Sequence, residues 1–228
     1  MGPGSDSEAV EMMFGKLKTF LVDSSQFGFE PILLNDIDKV YCYLPSMRGE
    51  NPDNRHINQF YHCEAEIKGD IEKLIPSMES FIRFLCETCL LMPNILRLIS
   101  LNSELSEKYL REIVESKNFK QLSYDDAIHI LEENHFGDLV NYTSFGRDIS
   151  SKGELELSKI LNTNTPVWIR NFDRDRVAFY QKPLPANKDK VINCDLIFPQ
   201  IIENSFWGEI IGAGQRQDNY YEMLESLN

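Results

Sequence analysis

The stretch that decides the fold is RGENPDNRHINQFYHCEAE, residues 48–66. The preceding residues 39–44 are aromatic and β-branched, and residues 51–54 are four turn formers in a row, so the pattern predicts strand, turn, strand. Alternation sends one set of side chains to one face of the second strand and the intervening set to the other. The first set is Phe60, His62, Glu64 and Glu66, and the second is Tyr61, Cys63 and Ala65. Adjacent acids repel unless a cation is near, so two arginines among three acids indicate an anion site that depends on a cation.

The composition is that of a soluble globular protein. The chain has 228 residues, of which 42% are apolar, and a net charge of −13. This acidic balance argues against a broad nucleic-acid-binding surface, although a local basic patch stays open. The chain has neither an apolar run of membrane-spanning length nor a signal-peptide pattern, so we expect no membrane association and a cytoplasmic location. Five cysteines, an odd number, indicate free thiols.

The order of elements indicates an α+β fold with a largely antiparallel sheet flanked by helices. Residues 1–5 are interpreted as a cloning scar, and residues 6–228 as one domain. Residues 6–14 are predicted as a weak helix, followed by a strand over 18–22. A helical block over 68–135 is predicted to hold three helices: 70–89, capped by Asp70; 106–116; and 124–133, capped by Ser123. Further strands are predicted over 166–170, 176–181, 190–198 and within 208–216.

Two features, a glycine-containing segment and a pair of acids near it, each leave two interpretations open. In Gly212-Ala213-Gly214-Gln215-Arg216, glycines in a strand-like segment permit close approach of a ligand, with Arg216 as a fork for a carboxylate or amide. The alternative is a glycine-rich turn with a surface arginine. Asp195 and Glu209 are the acids nearest to this segment and form a candidate Mg²⁺ site, or else they are ordinary surface acids.

Two other patterns are interpreted as structural. Cys86 and Cys89 have the spacing of a redox or zinc pair but lie in an apolar helix without a second pair, so we interpret them as core cysteines. His56 follows Arg55 and is interpreted as a hydrogen-bonding group rather than a general base.

Ordered segments across nearly the whole chain resemble the class II aminoacyl-tRNA synthetases of the asparaginyl and aspartyl group. Arg48-Gly49-Glu50, Arg55-His56 and Phe60 resemble the second signature motif of this family. The other segments that resemble family blocks are 14–21, Ser24-Ser25-Gln26-Phe27 with Glu30, Phe145-Gly146-Arg147-Asp148-Ile149 with Glu154, 166–180, and 208–216.

The resemblance implies a sheet that binds ATP, Mg²⁺ and asparagine or aspartate and joins the amino acid to AMP. It implies catalytic roles for Arg48 and Arg216. The implied nucleotide-binding residues are Arg48 at the α-phosphate, Glu50 at adenine, Arg55 at the far phosphates, His56, and Phe60 stacked on the base. The implied amino-acid-binding residues are Gln26, Glu30, Glu66, Gly212, Gly214 and Arg216, and the implied Mg²⁺ ligands are Asp195 and Glu209.

Relative to the family pattern, the chain is expected to lack the anticodon-binding barrel and the first and third motifs. We expect transfer of the activated amino acid to the acceptor end of a tRNA or to ammonia or another small amine. The alternative is a non-catalytic module that binds a nucleotide, an amino acid or a protein partner. A homodimer is expected if the full-length chain carries the first motif.

Overall fold

The computed structural model describes residues 8–53 and 55–226, and the chain divides into two compact units, Met1–Gly69 and Asp70–Asn228. The cloning-scar prediction lies outside the described residues. The first unit holds β1 (Glu11–Phe14), β2 (Leu17–Phe20), α1 (Gln26–Leu33), β3 (Lys39–Met47) and β4 (Gln59–Ile67). The helices of the second unit are α2 (Ile71–Leu90), α3 (Pro93–Ile99), α4 (Ser103–Glu115), α5 (Tyr124–Glu133), α6 (Ser151–Leu161) and α7 (Tyr220–Ser226). Its strands are β5 (Lys120–Ser123), β6 (Val140–Thr143), β7 (Gly146–Ile149), β8 (Val167–Arg170), β9 (Pro183–Leu184), β10 (Asn187–Val191), β11 (Asn193–Phe198) and β12 (Gly208–Gly214).

The first unit is built on the antiparallel pair β3 and β4, as the sequence predicts. The alternation along β4 is also confirmed, because Phe60, His62, Glu64 and Glu66 are less exposed than the residues between them. Helix α1 packs against both strands. The hairpin therefore has one covered face and one open face.

The second unit is organised around a four-stranded sheet in the order β12, β11, β8, β5. The first two pairings are antiparallel and β5 joins β8 in parallel, so the α+β prediction with a largely antiparallel sheet is confirmed. Helices cover both faces. Trp168, Cys194 and Leu196 pack with α2 and α4, whereas Ile169 and Ile197 pack with α5 and α6.

Local signals explain the helices that cover the sheet. Asp70 accepts a hydrogen bond from the Lys73 N–H at 3.0 Å and begins α2, which continues through Pro76. Ser123 caps α5 in the same way, and the predicted bounds of that helix are confirmed. Cys86 lies on the buried side of α2, where burial raises the pKa of its thiol to about 11.

Three secondary-structure predictions are wrong. The segment that ends at Phe14 holds strand β1 instead of a weak helix, because Gly15 adopts a left-handed conformation (φ 65°) that turns the chain back into β2. In the segment 176–181, Arg176 ends a short 3-10 helix (Arg174–Arg176), and residues 177–181 continue as irregular chain. The strand predicted over 190–198 is divided into β10 and β11 at Ile192.

Among the described residues, no helix combines the length and the apolar composition needed to cross a bilayer.

Candidate functional site

The first cluster of predicted site residues lies at the end of the β3–β4 hairpin. The backbone N–H of Arg48 donates to the carbonyl of Asn58 at 2.9 Å, which continues the hairpin pairing past Met47. The Arg48 guanidinium lies over the Phe60 ring, 5.2 Å from its centroid, and its buried Nε has no hydrogen-bond partner within residues 8–53 and 55–226. A cation thus lies on an aromatic face, with a buried donor that has no acceptor.

The loop of the hairpin is organised by Asp53. Its Oδ1 accepts the N–H groups of Arg55 and His56 at 2.7 and 2.8 Å, and the His56 Nδ1 lies 3.0 Å from the same atom. These hydrogen bonds lower the pKa of the Asp53 carboxyl to about 2. The His56 ring therefore contacts the loop acid, in agreement with a structural hydrogen-bonding role. Glu50, before the loop, accepts the N–H of Glu8 at 2.9 Å.

Glu64 holds the segment that carries two predicted amino-acid-binding residues. It is 5% exposed and accepts the Ser24 hydroxyl at 2.6 Å and the Ser25 N–H at 2.7 Å. Ser25 is directly followed by α1, in which Gln26 and Glu30 are one turn apart and share a face. Glu64 was not among the predicted site residues, although its place on the covered face of β4 with Glu66 was the signal that could have identified it.

The second cluster lies on the edge strand β12 of the four-stranded sheet and on its neighbour β11. Asp195 faces Gly212 across the β11–β12 pair, so their positions share a sheet face. A β-carbon at Gly212 would lie 3.4 Å from the Asp195 Oδ1 and 2.8 Å from the Glu209 Oε1. The two predicted Mg²⁺ ligands therefore meet over the bare backbone of this glycine.

A β-bulge brings Glu209 to that face. Leu196 pairs with Ile211 but Ile197 pairs with Glu209, so Ile210 is an extra residue on β12. Without it, strict alternation would place residue 209 on the face opposite Gly212. The bulge thus aligns Glu209 with Asp195.

The paired acids carry an unfavourable concentration of negative charge. Burial, followed by the charges of Glu209 and of Glu154 on α6, raises the pKa of the Asp195 carboxyl well above its ordinary value. A divalent cation would remove this penalty, and carboxylate oxygens are the protein ligands that Mg²⁺ prefers. Within residues 8–53 and 55–226, no group of three or more acids, histidines or cysteines has the arrangement of a complete metal cage. The pair therefore suits an ion that takes its other ligands from phosphate and water.

Arg216 lies beyond the glycines on the same strand line. Alternation gives Gly212, Gly214 and Arg216 one face, and the Arg216 guanidinium lies 4.0 Å from the centroid of the Tyr180 ring. Gln181, next in the chain, forms an isolated antiparallel bridge with Arg216. The glycines are therefore part of a strand that leads to an arginine stacked on an aromatic ring, and the glycine-rich turn is wrong.

A cavity of about 350 Å³ lies elsewhere in the second unit. Its lining includes Ile71, Glu72, Arg170 and Gln215 but neither Asp195 nor Glu209. Gln215 directly precedes Arg216, so alternation places its side chain on the opposite face of this extended segment. The cavity, which Gln215 lines, is therefore on the face opposite Arg216.

Residues 6–228 match the family model described as tRNA synthetases class II (D, K and N). The chain belongs to this family. It is 31% identical over 212 residues to a probable cytoplasmic asparagine--tRNA ligase of Enterocytozoon bieneusi, covering 91% of this chain and 43% of that protein. It is 29% identical over 220 residues to the asparagine--tRNA ligase of Streptococcus pyogenes, covering 94% and 46%. This class II synthetase chain thus spans about half the length of the curated relatives it matches.

Solved structures of class II synthetases share the fold. The asparaginyl-tRNA synthetase of Pyrococcus horikoshii complexed with asparaginyl-adenylate superposes with a TM-score of 0.82 at 24% identity, covering 98% of this chain and 48% of that one. The asparaginyl-tRNA synthetase of Entamoeba histolytica gives a TM-score of 0.77 at 22% identity, covering 99% and 48%. The fold of the class II synthetases is therefore present over nearly the whole chain.

Proposed function

We propose that this chain binds ATP with Mg²⁺ and asparagine or aspartate and joins the amino acid to AMP as an aminoacyl-adenylate. The observation that carries the proposal is the meeting of Asp195 and Glu209 over Gly212, on the strand that leads to Arg216. Membership of a family whose similar members are asparagine--tRNA ligases supports the choice of amino acid.

The arginines and the aromatic ring of the hairpin serve the nucleotide. Arg48 neutralises charge that develops on the α-phosphate. Its buried Nε, which has no acceptor in the described part of the chain, suits a phosphate oxygen. Phe60 stacks on adenine, Glu50 contacts the base, and Arg55, with His56 beside it, serves the far phosphates. Mg²⁺, when bound by Asp195 and Glu209, supplies further neutralisation of phosphate charge.

Gln26, Glu30 and Glu66 bind the amino acid, and Arg216 binds its side chain. The strand backbone at Gly212 and Gly214 lets it approach closely. An oxygen of its α-carboxylate bonds to the α-phosphorus while pyrophosphate leaves, and no residue needs to remove a proton because the nucleophile is already ionised.

The activated amino acid is then passed to the acceptor end of a tRNA or to ammonia or another small amine. We also propose a cytoplasmic location, as the name of the Enterocytozoon bieneusi relative suggests, and a homodimer for the full-length protein.

Exchange of labelled pyrophosphate into ATP tests this function. We expect exchange that depends on Mg²⁺ and on asparagine or aspartate among the twenty amino acids. Arg48→Ala should abolish it, while Arg111→Ala, which removes an exposed arginine of α4 paired with Glu107, should leave it unchanged. Absence of exchange with every amino acid would overturn the proposal, and binding of ATP without exchange would favour a non-catalytic binding module.

A further inference from the structure

Gln181 faces Arg216 as a close cross-strand neighbour. The two residues form an antiparallel bridge. Two backbone hydrogen bonds of 2.8 Å flank it: Lys182 N–H to the Gln215 carbonyl and Gln217 N–H to the Tyr180 carbonyl. This is the non-hydrogen-bonded type of pair, in which the side chains lie on one face and approach most closely. Gln181 therefore belongs to the same face as Arg216 and Gly214.

The carboxamide of Gln181 occupies the space beside Gly214 that a side chain at this position would need. A β-carbon at Gly214 would lie 3.0 Å from Cδ, 3.1 Å from Oε1 and 3.3 Å from Nε2 of Gln181. The Oε1 atom is buried and has no hydrogen-bond partner among the residues that the structure describes. An unpaired buried acceptor is unfavourable, so this oxygen is poised to accept an N–H.

The chemistry of the two substrates differs at one atom. A carboxamide has a carbonyl oxygen that accepts and an NH₂ group that donates, whereas a carboxylate only accepts. Arg216 donates only and so serves both. An acceptor beside it attracts the NH₂ of asparagine and repels the second oxygen of aspartate.

We propose that Gln181 determines specificity, selecting asparagine over aspartate by accepting a hydrogen bond from its side-chain NH₂ through Oε1. This rests on the proposed function, because Arg216 must be the residue that binds the side chain of the amino acid. Gly214 is then needed so that the carboxamide can lie against the strand beside Arg216.

Binding of L-asparagine and L-aspartate to the 228-residue chain, measured by titration calorimetry without ATP, tests the proposal. We expect the wild type to prefer asparagine. Gln181→Met, which conserves volume but removes the acceptor, should reduce that preference by roughly 5- to 100-fold, the range for a lost hydrogen bond that leaves a donor unpaired. Gln181→Glu keeps an acceptor at this position and should retain the preference. Thermal unfolding of all three proteins shows whether each variant is folded.

The outcomes separate the two proposals. An unchanged ratio of the two affinities in a folded Gln181→Met variant would overturn the role of Gln181 and leave the proposed function intact. A wild type that prefers aspartate would do the same. If neither amino acid binds and no pyrophosphate exchange occurs, the proposed function fails and the specificity proposal fails with it.

Discussion

Replacing Glu64 by glutamine should detach the start of α1 from strand β4. In the wild type, one carboxylate oxygen accepts the Ser24 hydroxyl at 2.6 Å and the other accepts the Ser25 N–H at 2.7 Å. Glutamine keeps the shape of the side chain but turns one of these acceptors into a donor. A hydroxyl can reverse its role, whereas a backbone N–H cannot. The remaining carbonyl oxygen of glutamine therefore accepts the Ser25 N–H, and its NH₂ donates to the Ser24 hydroxyl. Both hydrogen bonds become neutral and weaker.

The size of the effect follows from burial. Glu64 is 5% exposed, so water does not compensate for the weaker hydrogen bonds. Hydrogen bonds to charged groups contribute about 1.5–3 kcal/mol each, against about 1 kcal/mol for neutral ones, so Glu64→Gln should destabilise the first unit by about 2 kcal/mol. In the proposed function, Gln26 and Glu30 bind the amino acid, and both depend on this anchor. The affinity for asparagine should therefore also fall, while the affinity for ATP changes less.

Urea unfolding and amide hydrogen exchange at Ser25 and along α1 measure the effect. Asp38→Asn is the matched control, because it removes the same charge from an exposed acid whose ion pair with Lys68 is 3.5 Å long. Glu64 does not anchor α1 if Glu64→Gln and Asp38→Asn give the same free energy of unfolding and Ser25 exchanges at the wild-type rate.

Two further predictions concern the second unit. Gly212→Ala should push the Glu209 carboxylate away, because the new β-carbon would lie 2.8 Å from its Oε1. We expect calorimetry to show roughly tenfold weaker Mn²⁺ binding, the size of effect seen when the residues that support a metal ligand are lost. An unchanged Mn²⁺ affinity would contradict this prediction. Asp173→Asn should destabilise the fold by about 2–4 kcal/mol in urea unfolding at pH 7, because the mostly buried carboxylate binds Arg147 at 2.7 Å and Lys190 at 2.6 Å. Burial raises the pKa of the Asp173 carboxyl, but hydrogen bonds from Arg147 and Lys190 outweigh it and hold the pKa well below its ordinary value. The stabilisation is therefore complete above the unfolded-state pKa near 3.8 and is lost as pH falls through the folded-state pKa. The free energies of unfolding of wild type and variant should converge in acid. A difference between them that is constant with pH would contradict this assignment.

Local signals made much of the fold predictable. The β3–β4 hairpin follows from turn formers between alternating segments, and α5 follows from its Ser123 cap and its apolar period. The predictions failed where pairing between distant segments decides the structure. Residues 176–181 have strand-like composition, yet they bond to residues 215–217 irregularly, and only one bridge forms.

The site was predictable in part for the same reason. Asp195 and Glu209 could be paired because they flank the glycine segment. The bulge at Ile210 leaves no periodic signal, yet it decides which face Glu209 occupies. The role of Glu64 depends on contacts with residues at least 39 positions away, and that of Gln181 depends on Gly214, 33 positions away. A sequence pattern does not report such contacts.

Conversion of ATP labelled in its α-phosphate tests the central claim most directly. The chain is mixed at stoichiometric concentration with labelled ATP, Mg²⁺ and asparagine, and the products are separated by chromatography. We predict that the label moves from ATP to asparaginyl-adenylate, that pyrophosphate appears in equal amount, and that Asp195→Asn prevents both. Label that stays in ATP while ATP is bound by the chain would contradict the account.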